Sequence, residues 1–289
     1  MSNDIAAKTK ESPPKIALTI AGSDSSGGAG IQADLKTFST FGCFGMSVLT
    51  AITAQNSQAV TQVEVIKPDL LRAQLEALFN DYTIDVVKIG MIGSAVNGRV
   101  IAEALTPHRG LPIVLDTPLK ASTGDDLGEE GIAQALVDDL FPMATLITPN
   151  LEEAAIFLAE EKAQTIEEMI TQAQNLHKLG VNAVLLKGGH LPEHNQNEAG
   201  VEVRIEAVDV MVEGQAYALI KAPWVDTPNN HGTGCILAAA IAANLAIGHD
   251  CETAIRRAKQ WLTECLKKSA FMQLGTGRGP VNITKMPQL

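Results

Sequence analysis

Short apolar runs alternate with amphipathic segments along most of this chain of 289 residues. The run 15–21 breaks at glycines, and 31–41 then places apolar residues at helical spacing, which predicts a strand, a loop and a helix. The pattern repeats, with strands predicted at 48–54, 85–89, 113–116, 145–148 and 183–187, and helices at 69–79, 95–105, 129–140, 151–160, 165–179, 233–247 and 251–271. Such alternation predicts an α/β fold in three layers, a mainly parallel central sheet with helices on both faces.

The segment 201–221 departs from this alternation. Its residues alternate between apolar and polar on both sides of a turn at Glu213-Gly214, which predicts a β-hairpin at one edge of the sheet. No linker-like stretch divides the rest. We therefore predict a flexible tail over 1–14 and a single domain over 15–289.

Composition excludes several classes of function. Hydrophobic residues make up 46% of the chain, enough for a large core, and the net charge of −11 comes without a basic stripe, so nucleic acid is not an expected partner. The longest apolar stretch, 236–247, is well short of the roughly 20 residues that span a bilayer, so no membrane segment is expected. Four cysteines without C-x-x-C spacing indicate neither zinc nor disulfides. With no signal-peptide pattern at residues 1–15, we expect a cytoplasmic protein.

Chemically useful residues follow the predicted strands, at the sheet edge where open α/β folds bind ligands. They are the glycine-rich loop 22–30, Gln55-Asn56, Gly90-Met91, Asp116, Asn150 with Glu153, and 187–190. The loop is not a Walker A motif, since it lacks the Gly-Lys-Ser/Thr ending. Together these residues offer oxygen ligands for Mg²⁺ and a lysine for transferred negative charge, as phosphoryl transfer requires.

Each residue also has a purely structural interpretation. Asn150 and Glu153 could cap a helix, Asp116 could accept hydrogen bonds in a turn, and Lys187 could be a solvated lysine at a strand end. Their common position at one sheet edge favours the functional interpretation.

The segment 231–235, His-Gly-Thr-Gly-Cys, is a glycine turn that opens onto an alanine-rich helix. Free backbone N–H groups and the helix dipole would suit a phosphate there, and the same dipole would favour the thiolate of Cys235. Two alternatives stay open: the glycines allow close packing around a small buried cysteine, or His231 and Cys235 form a thiol nucleophile dyad, for which no orienting third residue is identifiable.

Five blocks in order carry a family resemblance: 21–37, Lys88-Ile89-Gly90-Met91, 148–154, 187–190 and 231–235. The chain resembles the hydroxymethylpyrimidine/phosphomethylpyrimidine kinases of thiamine biosynthesis, members of the ribokinase-like superfamily, from about residue 15 to about residue 283. The resemblance implies an ATP- and Mg²⁺-dependent enzyme that phosphorylates 4-amino-5-hydroxymethyl-2-methylpyrimidine and then its monophosphate. It also implies a homodimer with a complete site in each subunit, and leaves activation by K⁺ open.

The resemblance also implies roles for individual residues. Gly28, Asp34, Gln55 and Met91 are expected to bind the pyrimidine, with the Gln55 carboxamide matching an amino group beside a ring nitrogen. Cys235 is expected beside the hydroxymethyl group, as a base or as an element of shape. The remaining assignments are Gly232, Gly234 and Lys187 in catalysis, Asn150, Lys187, Thr233 and Gly234 on the nucleotide, and Asp116 and Glu153 on Mg²⁺.

The chain departs from the family pattern in the segment 116–125, where Ser122 stands at the position of a flap lysine, unless Lys120 serves from a shifted position. This leaves two alternatives to the main interpretation. One is a pyridoxal kinase of the same superfamily, although those usually have aspartate at the position of Cys235. The other is a non-catalytic sensor of the pyrimidine, against which Lys187, Asp116 and Glu153 argue.

Overall fold

The computed structural model describes residues 12–119, 131–189, 191 and 205–283. Across these residues nine strands form one sheet in the order β3-β2-β1-β4-β5-β6-β7-β8-β9. The strands are β1 (Ile16–Asp24), β2 (Phe44–Gln55), β3 (Val60–Val65), β4 (Val86–Ile89), β5 (Ile113–Leu115), β6 (Leu146–Ile147), β7 (Ala183–Lys187), β8 (Glu206–Glu213) and β9 (Ala216–Pro223). The helices are α1 (Gly30–Thr40), α2 (Pro68–Phe79), α3 (Ala95–Leu105), α4 (Ile132–Ala135), α5 (Leu151–Leu158), α6 (Ile166–His177), α7 (Thr233–Ala246) and α8 (Cys251–Ser269).

The six central strands are parallel, and an antiparallel hairpin closes each edge. Strand β1 pairs with β2 on one side and with β4 on the other, so the chain reverses its direction of winding at β1. In open α/β sheets the carboxyl edge at such a reversal forms a crevice for ligands. The topology therefore opens a crevice at Asp24, the last residue of β1, and beside the start of α1.

Helices cover both faces of the sheet, as predicted. On one face α2 to α6 pack on the sheet through residues such as Leu75, Ile101 and Leu176, all fully buried. On the other face lie α1, α7 and α8, with Trp261 of α8 almost completely buried. Helix α7 is buried nearly all round because its alanines let it pack closely between the sheet and its neighbours. The prediction of a three-layer α/β fold is confirmed.

Two elements differ from the predictions. Strand β3 was not predicted at all; it pairs antiparallel with β2 at the sheet edge, where both of its faces are at least partly exposed and its apolar alternation is weak. The helix predicted at 129–140 is a single α-helical turn, Ile132–Ala135, followed by a wider π-helical turn over Leu136–Leu140. The hairpin predicted within 201–221 is confirmed as β8 and β9.

Several predictions fall outside the described residues. They are most of the tail over 1–14, the flap positions Lys120, Ser122 and 123–125, residues 129–130 of a predicted helix, His190, and the start of the hairpin at 201–204. In the part of the chain that is described, no helix is long and apolar enough to cross a bilayer.

Candidate active site

One cavity of about 650 Å³ runs along the carboxyl edge of the sheet. Its wall includes Gln55 and Met91 on the side of β2 and β4, and Trp224 and Leu262 on the side of β9 and α8. Between them lies the start of α7. The predicted residues that border it are Gln55, Met91, Asp116, Asn150, Glu153, Lys187, Gly232, Thr233, Gly234 and Cys235. The structure thus brings together residues from six separate segments of the chain.

Close backbone contact shapes the start of α7. Gly232 precedes the helix with φ of 82°, and a Cβ atom added to it would lie 1.9 Å from the carbonyl oxygen of Gly28. A Cβ added to Gly234 would lie 3.4 Å from Lys187 Nζ and 3.7 Å from Asp116 Oδ2. Gly232 therefore lets the helix start approach the glycine loop, whereas a side chain at position 234 would be in ordinary contact with the charged groups. No acidic residue lies in the first turn of α7, so its N-terminus suits an anion.

Lys187 and Asp116 form an ion pair at this point. Lys187 Nζ lies 3.1 Å from Asp116 Oδ1, which also accepts a hydrogen bond from Thr148 at 3.0 Å. Burial alone would raise the pKa of Asp116, but Lys187 and Lys88 outweigh it and hold this pKa below its usual range. Burial likewise disfavours the charged lysine, yet Asp116 and Glu153 raise the pKa of Lys187. The site therefore carries a fixed positive and a fixed negative charge side by side at neutral pH.

Asn150 and Glu153 do cap α5. Asn150 Oδ1 accepts from the N–H groups of Glu152 at 2.9 Å and Glu153 at 2.8 Å, while Glu153 Oε2 accepts from the N–H of Asn150 at 2.8 Å. This reciprocal capping box fixes the Glu153 carboxyl in the cavity wall. Burial raises the pKa of Glu153 to about 7, with Lys187 acting against it and Asp116 with it. The structural and the functional interpretations of these two residues are compatible.

The donor set fits magnesium bound in one particular way. Within the described ranges no three His, Cys, Asp or Glu side chains gather as a metal-binding group. Asp116 and Glu153 both border the cavity, and the positive charge of Lys187 acts to lower the pKa of each. Mg²⁺ commonly uses one or two carboxylates and completes its coordination with phosphate oxygens and water. The two carboxyl groups suit that mode rather than an all-protein cage.

The expectation that α7 would favour the thiolate of Cys235 is wrong. Burial raises the pKa of this thiol to about 11; Lys88 opposes the shift, and Asp116 and Asp34 reinforce it. Although Cys235 is only partly buried, desolvation and the charges of Asp116 and Asp34 together exceed the opposing effect of Lys88. Cys235 is therefore a neutral thiol at physiological pH.

Two predicted substrate residues do not border the cavity. The Asp34 side chain is completely buried, where it accepts hydrogen bonds from Thr19 Oγ1 at 2.7 Å and from Lys88 Nζ at 2.9 Å. Gly28 lies behind His231, whose Cδ2 would be 2.4 Å from an added Cβ. Neither residue is therefore in a position to contact a ligand in the cavity directly.

Lys88 was not among the predicted site residues. It borders the cavity and forms an ion pair with Asp34, although its side chain is fully buried. Burial would lower its pKa, but Asp34 overcomes this and raises it, so the lysine stays charged. The available signal was a lysine inside the short buried strand β4, Val86–Ile89, since lysine is almost never buried without a partner. Asp24 was also missed; it forms a buried pair with His231 at 2.9 Å.

The fold and the site together indicate a class of enzyme. A parallel α/β sheet whose carboxyl edge carries a glycine-flanked helix start, a lysine and two carboxyl groups is the framework of a small-molecule kinase. Comparison with known proteins makes this specific, because the family model for phosphomethylpyrimidine kinase matches residues 24–282. The chain belongs to the phosphomethylpyrimidine kinase family.

Individual relatives agree with this membership. The hydroxymethylpyrimidine/phosphomethylpyrimidine kinase of Rhizobium meliloti is 43% identical over 267 residues, covering 92% of this chain and 96% of the relative. Among solved structures, phosphomethylpyrimidine kinase from Clostridium difficile has 37% identity and a TM-score of 0.73, covering 86% of this chain and 98% of that one. The ADP complex of Bacillus subtilis pyridoxal kinase has 36% identity and a TM-score of 0.82, covering 93% and 97%.

Proposed function

We propose that this protein uses ATP to phosphorylate 4-amino-5-hydroxymethyl-2-methylpyrimidine, and then its monophosphate to the diphosphate, in thiamine biosynthesis. One observation carries the proposal: the start of α7, Lys187 and Asp116 meet beside Cys235 in the cavity that Gln55 and Met91 also border. A ring substrate and a phosphoryl donor can therefore meet at one point. The names of the relatives support the same substrate.

On the substrate side, Gln55 would read the amino group and the adjacent ring nitrogen, since a carboxamide offers an acceptor and a donor together. Met91 would pack against the ring, its sulfur being well suited to aromatic contact. These contacts would place the hydroxymethyl group beside Cys235. As a neutral thiol, Cys235 would orient that hydroxyl group through a weak hydrogen bond and would fill space around it.

On the donor side, the backbone N–H groups of Gly232, Thr233 and Gly234 would receive the transferred phosphoryl oxygens, and Lys187 would balance their charge. Asp116 and Glu153 would hold Mg²⁺, which neutralises phosphate charge when bound, and Asn150 would lie beside the nucleotide phosphates. Because the transition state of phosphoryl transfer is loose, positioning and charge stabilisation matter more than a strong base. A high pKa at Cys235 is therefore compatible with catalysis.

Three further expectations belong to this proposal: a homodimer with one complete site in each subunit, a cytoplasmic location, and a requirement for Mg²⁺. Activation by K⁺ is a separate question that a titration with KCl answers. The oligomer is measured directly by light scattering on the purified protein.

Phosphorylation of pyridoxal is the second candidate, because the fold matches Bacillus subtilis pyridoxal kinase with a TM-score of 0.82. The test incubates purified protein with Mg-ATP and either the hydroxymethylpyrimidine or pyridoxal, and follows ADP release and product mass. We expect pyrimidine monophosphate followed by diphosphate, with pyridoxal the poorer substrate. Faster turnover of pyridoxal would reverse the substrate assignment, and binding of the pyrimidine without turnover would indicate a sensor.

A further inference from the structure

A buried pair, Asp24 and His231, lies directly behind the predicted ring-binding carboxamide of Gln55. The side chains of the pair are 3% and 5% exposed, and His231 Nε2 lies 2.9 Å from Asp24 Oδ2. The same Nε2 atom is 3.5 Å from Gln55 Nε2. The pair is thus in a position to influence which end of the carboxamide faces it.

Asp24 can only accept hydrogen bonds here. Its carboxylate also receives the N–H groups of Ser26 at 2.8 Å, Ala29 at 2.8 Å and Gly28 at 3.2 Å, and the hydroxyl group of Ser26 at 2.9 Å. Burial opposes its ionisation, but the hydrogen bonds from His231, Ser26 and Ala29 outweigh it and lower the pKa of Asp24 to about 2. An ionised carboxylate has no proton to give, so Nε2 of His231 must carry the hydrogen of their shared bond.

That hydrogen conflicts with the amide nitrogen facing it. Two N–H groups at 3.5 Å cannot bond to each other, since each is a donor without a free lone pair. At the opposite end, Gln55 Oε1 lies 3.1 Å from Thr53 Oγ1, which itself is 2.9 Å from the carbonyl oxygen of Ser23. The Thr53 hydroxyl has one hydrogen, and the carbonyl can only accept it, so Oγ1 is left as an acceptor toward Gln55.

Both conflicts disappear if the carboxamide is turned over, because its oxygen and nitrogen exchange places with almost no change of shape. Nε2 then donates to Thr53 Oγ1, and Oε1 faces the Nε2–H group of His231, whose single hydrogen it shares with Asp24 Oδ2 in a three-centre bond. We propose that the Asp24–His231 pair enforces this orientation of Gln55, and that His231 is thereby a positioning residue that determines ring specificity. This inference rests on the proposed function of Gln55 as the residue that pairs with the ring.

The turned orientation matches the proposed substrate. His231 lies two residues before the first residue of α7, so an Oε1 atom that faces His231 would be on the side of the carboxamide nearer to the start of this helix, where Cys235 would receive the hydroxymethyl group. In the aminopyrimidine the amino group is on the carbon next to the one that carries the hydroxymethyl group, and the ring nitrogen is one atom further away. The amino group can then donate to Oε1 while the ring nitrogen accepts from Nε2.

The 4-oxo analogue, in which a carbonyl replaces the amino group and the neighbouring ring nitrogen carries hydrogen, presents the reverse order of donor and acceptor. Wild-type protein should use the aminopyrimidine at least about a hundredfold better in kcat/KM, since the analogue sets acceptor against acceptor and donor against donor at Gln55. Asp24→Asn removes the carboxylate that holds the hydrogen of His231 on Nε2. This variant should lower the preference for the amino substrate about tenfold, as one misplaced hydrogen bond would.

His231→Gln is the second variant, and the preference should fall there as well, mainly through KM. Arg72→Ala, which breaks an exposed ion pair with Glu103, is the control and should keep the wild-type ratio. If both site variants keep the full preference, the inference is overturned while the proposed function stands. If wild-type protein uses the two rings equally well, the pairing of Gln55 with the ring is wrong and the inference is overturned with it. If it phosphorylates neither ring, the proposed function itself is wrong.

A direct measurement does not depend on the kinetics of the variants. In protein labelled with ¹⁵N at histidine, the two-bond ¹H–¹⁵N spectrum reports which ring nitrogen carries hydrogen, and the resonance lost in His231→Gln assigns the residue. We expect Nε2 of His231 to be protonated from pH 6 to pH 9. A neutral ring with hydrogen only on Nδ1 would overturn the inference whatever the activity of the variants.

Discussion

At the scale of single residues, Lys187 is the charge that makes the site suitable for a phosphoryl group. Lys187→Met should lower kcat about 10²- to 10³-fold, the usual effect of removing one electrostatic contact to a transition state. The ion pair with Asp116 also breaks, so the pKa of that carboxyl should rise. Steady-state kinetics with saturating Mg-ATP test the first effect. Lys221→Met, at an exposed pair with Glu206, is the matched control, and an equal loss there would contradict the assignment.

Glu153 gives the site a measurable dependence on pH. Its pKa is about 7 in the folded protein against a usual 4.5, so between these values the folded state holds a proton that the unfolded state has lost. The contribution of Glu153 to stability is therefore full below pH 4.5 and decreases as the pH rises to 7. Glu153→Gln should flatten the decline in melting temperature between pH 5 and pH 8 by a few degrees.

The companion experiment uses magnesium with a non-hydrolysable nucleotide. A cation beside Glu153 favours its ionised form, so binding at pH 6.5 should release protons in the wild type and fewer in Glu153→Gln. Calorimetry in buffers of different ionisation enthalpy measures that release. Equal proton release in the two proteins would place the metal away from Glu153.

At the scale of elements, the start of α7 depends on a backbone contact that only glycine allows. Gly232→Ala combines a positive φ with a clash against the Gly28 carbonyl. Gly248 provides a matched control, because its φ of 99° is also positive but nothing lies within 4 Å of an added Cβ. Both alanine variants should lose about 1 kcal/mol through backbone strain.

Gly232→Ala should lose more than Gly248→Ala, by a further 1–2 kcal/mol or so, since overpacking against a fixed backbone is added. It should also lose most of its kcat, whereas Gly248→Ala should keep it. Urea denaturation and steady-state kinetics on the same preparations compare the two. Equal stability and full activity in Gly232→Ala would show that α7 and the glycine loop are not held in contact.

Local sequence patterns decide the parts of this structure that could be predicted from the sequence. The alternation of strands and helices depends on which residues are apolar, so the central layers and the edge hairpin at β8 and β9 could be predicted. The carboxyl-edge rule then grouped residues such as Gln55, Asp116 and Lys187, which the structure places in one cavity wall. Order along the chain was enough for that inference because parallel strands all end at the same edge.

Contacts between residues far apart in the chain could not be predicted in this way. Lys88 and Asp34 are 54 residues apart, and Asp24 and His231 are 207 apart, so no local pattern joins either pair. The thiol of Cys235 was misjudged for the same reason, since its pKa depends on burial and on carboxyl groups from other elements. Strand β3 was not predicted because an exposed edge strand has no strong apolar alternation.

At the scale of the whole molecule, both ends of the cavity lie along the edge of one continuous sheet. Gln55 and Met91 lie at the end near β2 and β4, and Trp224 lies at the other end, after β9. The chain has two tryptophans, and only Trp224 borders the cavity, while Trp261 is almost fully buried between α8 and its neighbours. The nucleotide is proposed to lie beside Asn150 and Lys187, and Lys187 ends β7 next to the β8–β9 hairpin, so Mg-ADP should change the fluorescence of Trp224. The pyrimidine alone, bound at the other end, should leave it nearly unchanged.

Trp224→Phe should abolish the response to Mg-ADP and keep the signal of Trp261, which makes the variant its own control for folding. The titration separates the two ends of the site, because a nucleotide and a ring substrate that share the cavity should report on different walls of it. A response of Trp224 to the pyrimidine and none to Mg-ADP would show that the two ligands bind at the opposite ends from those proposed. The cysteine and the start of α7 would still lie between them, so phosphoryl transfer would remain possible in the reversed direction along the same sheet edge.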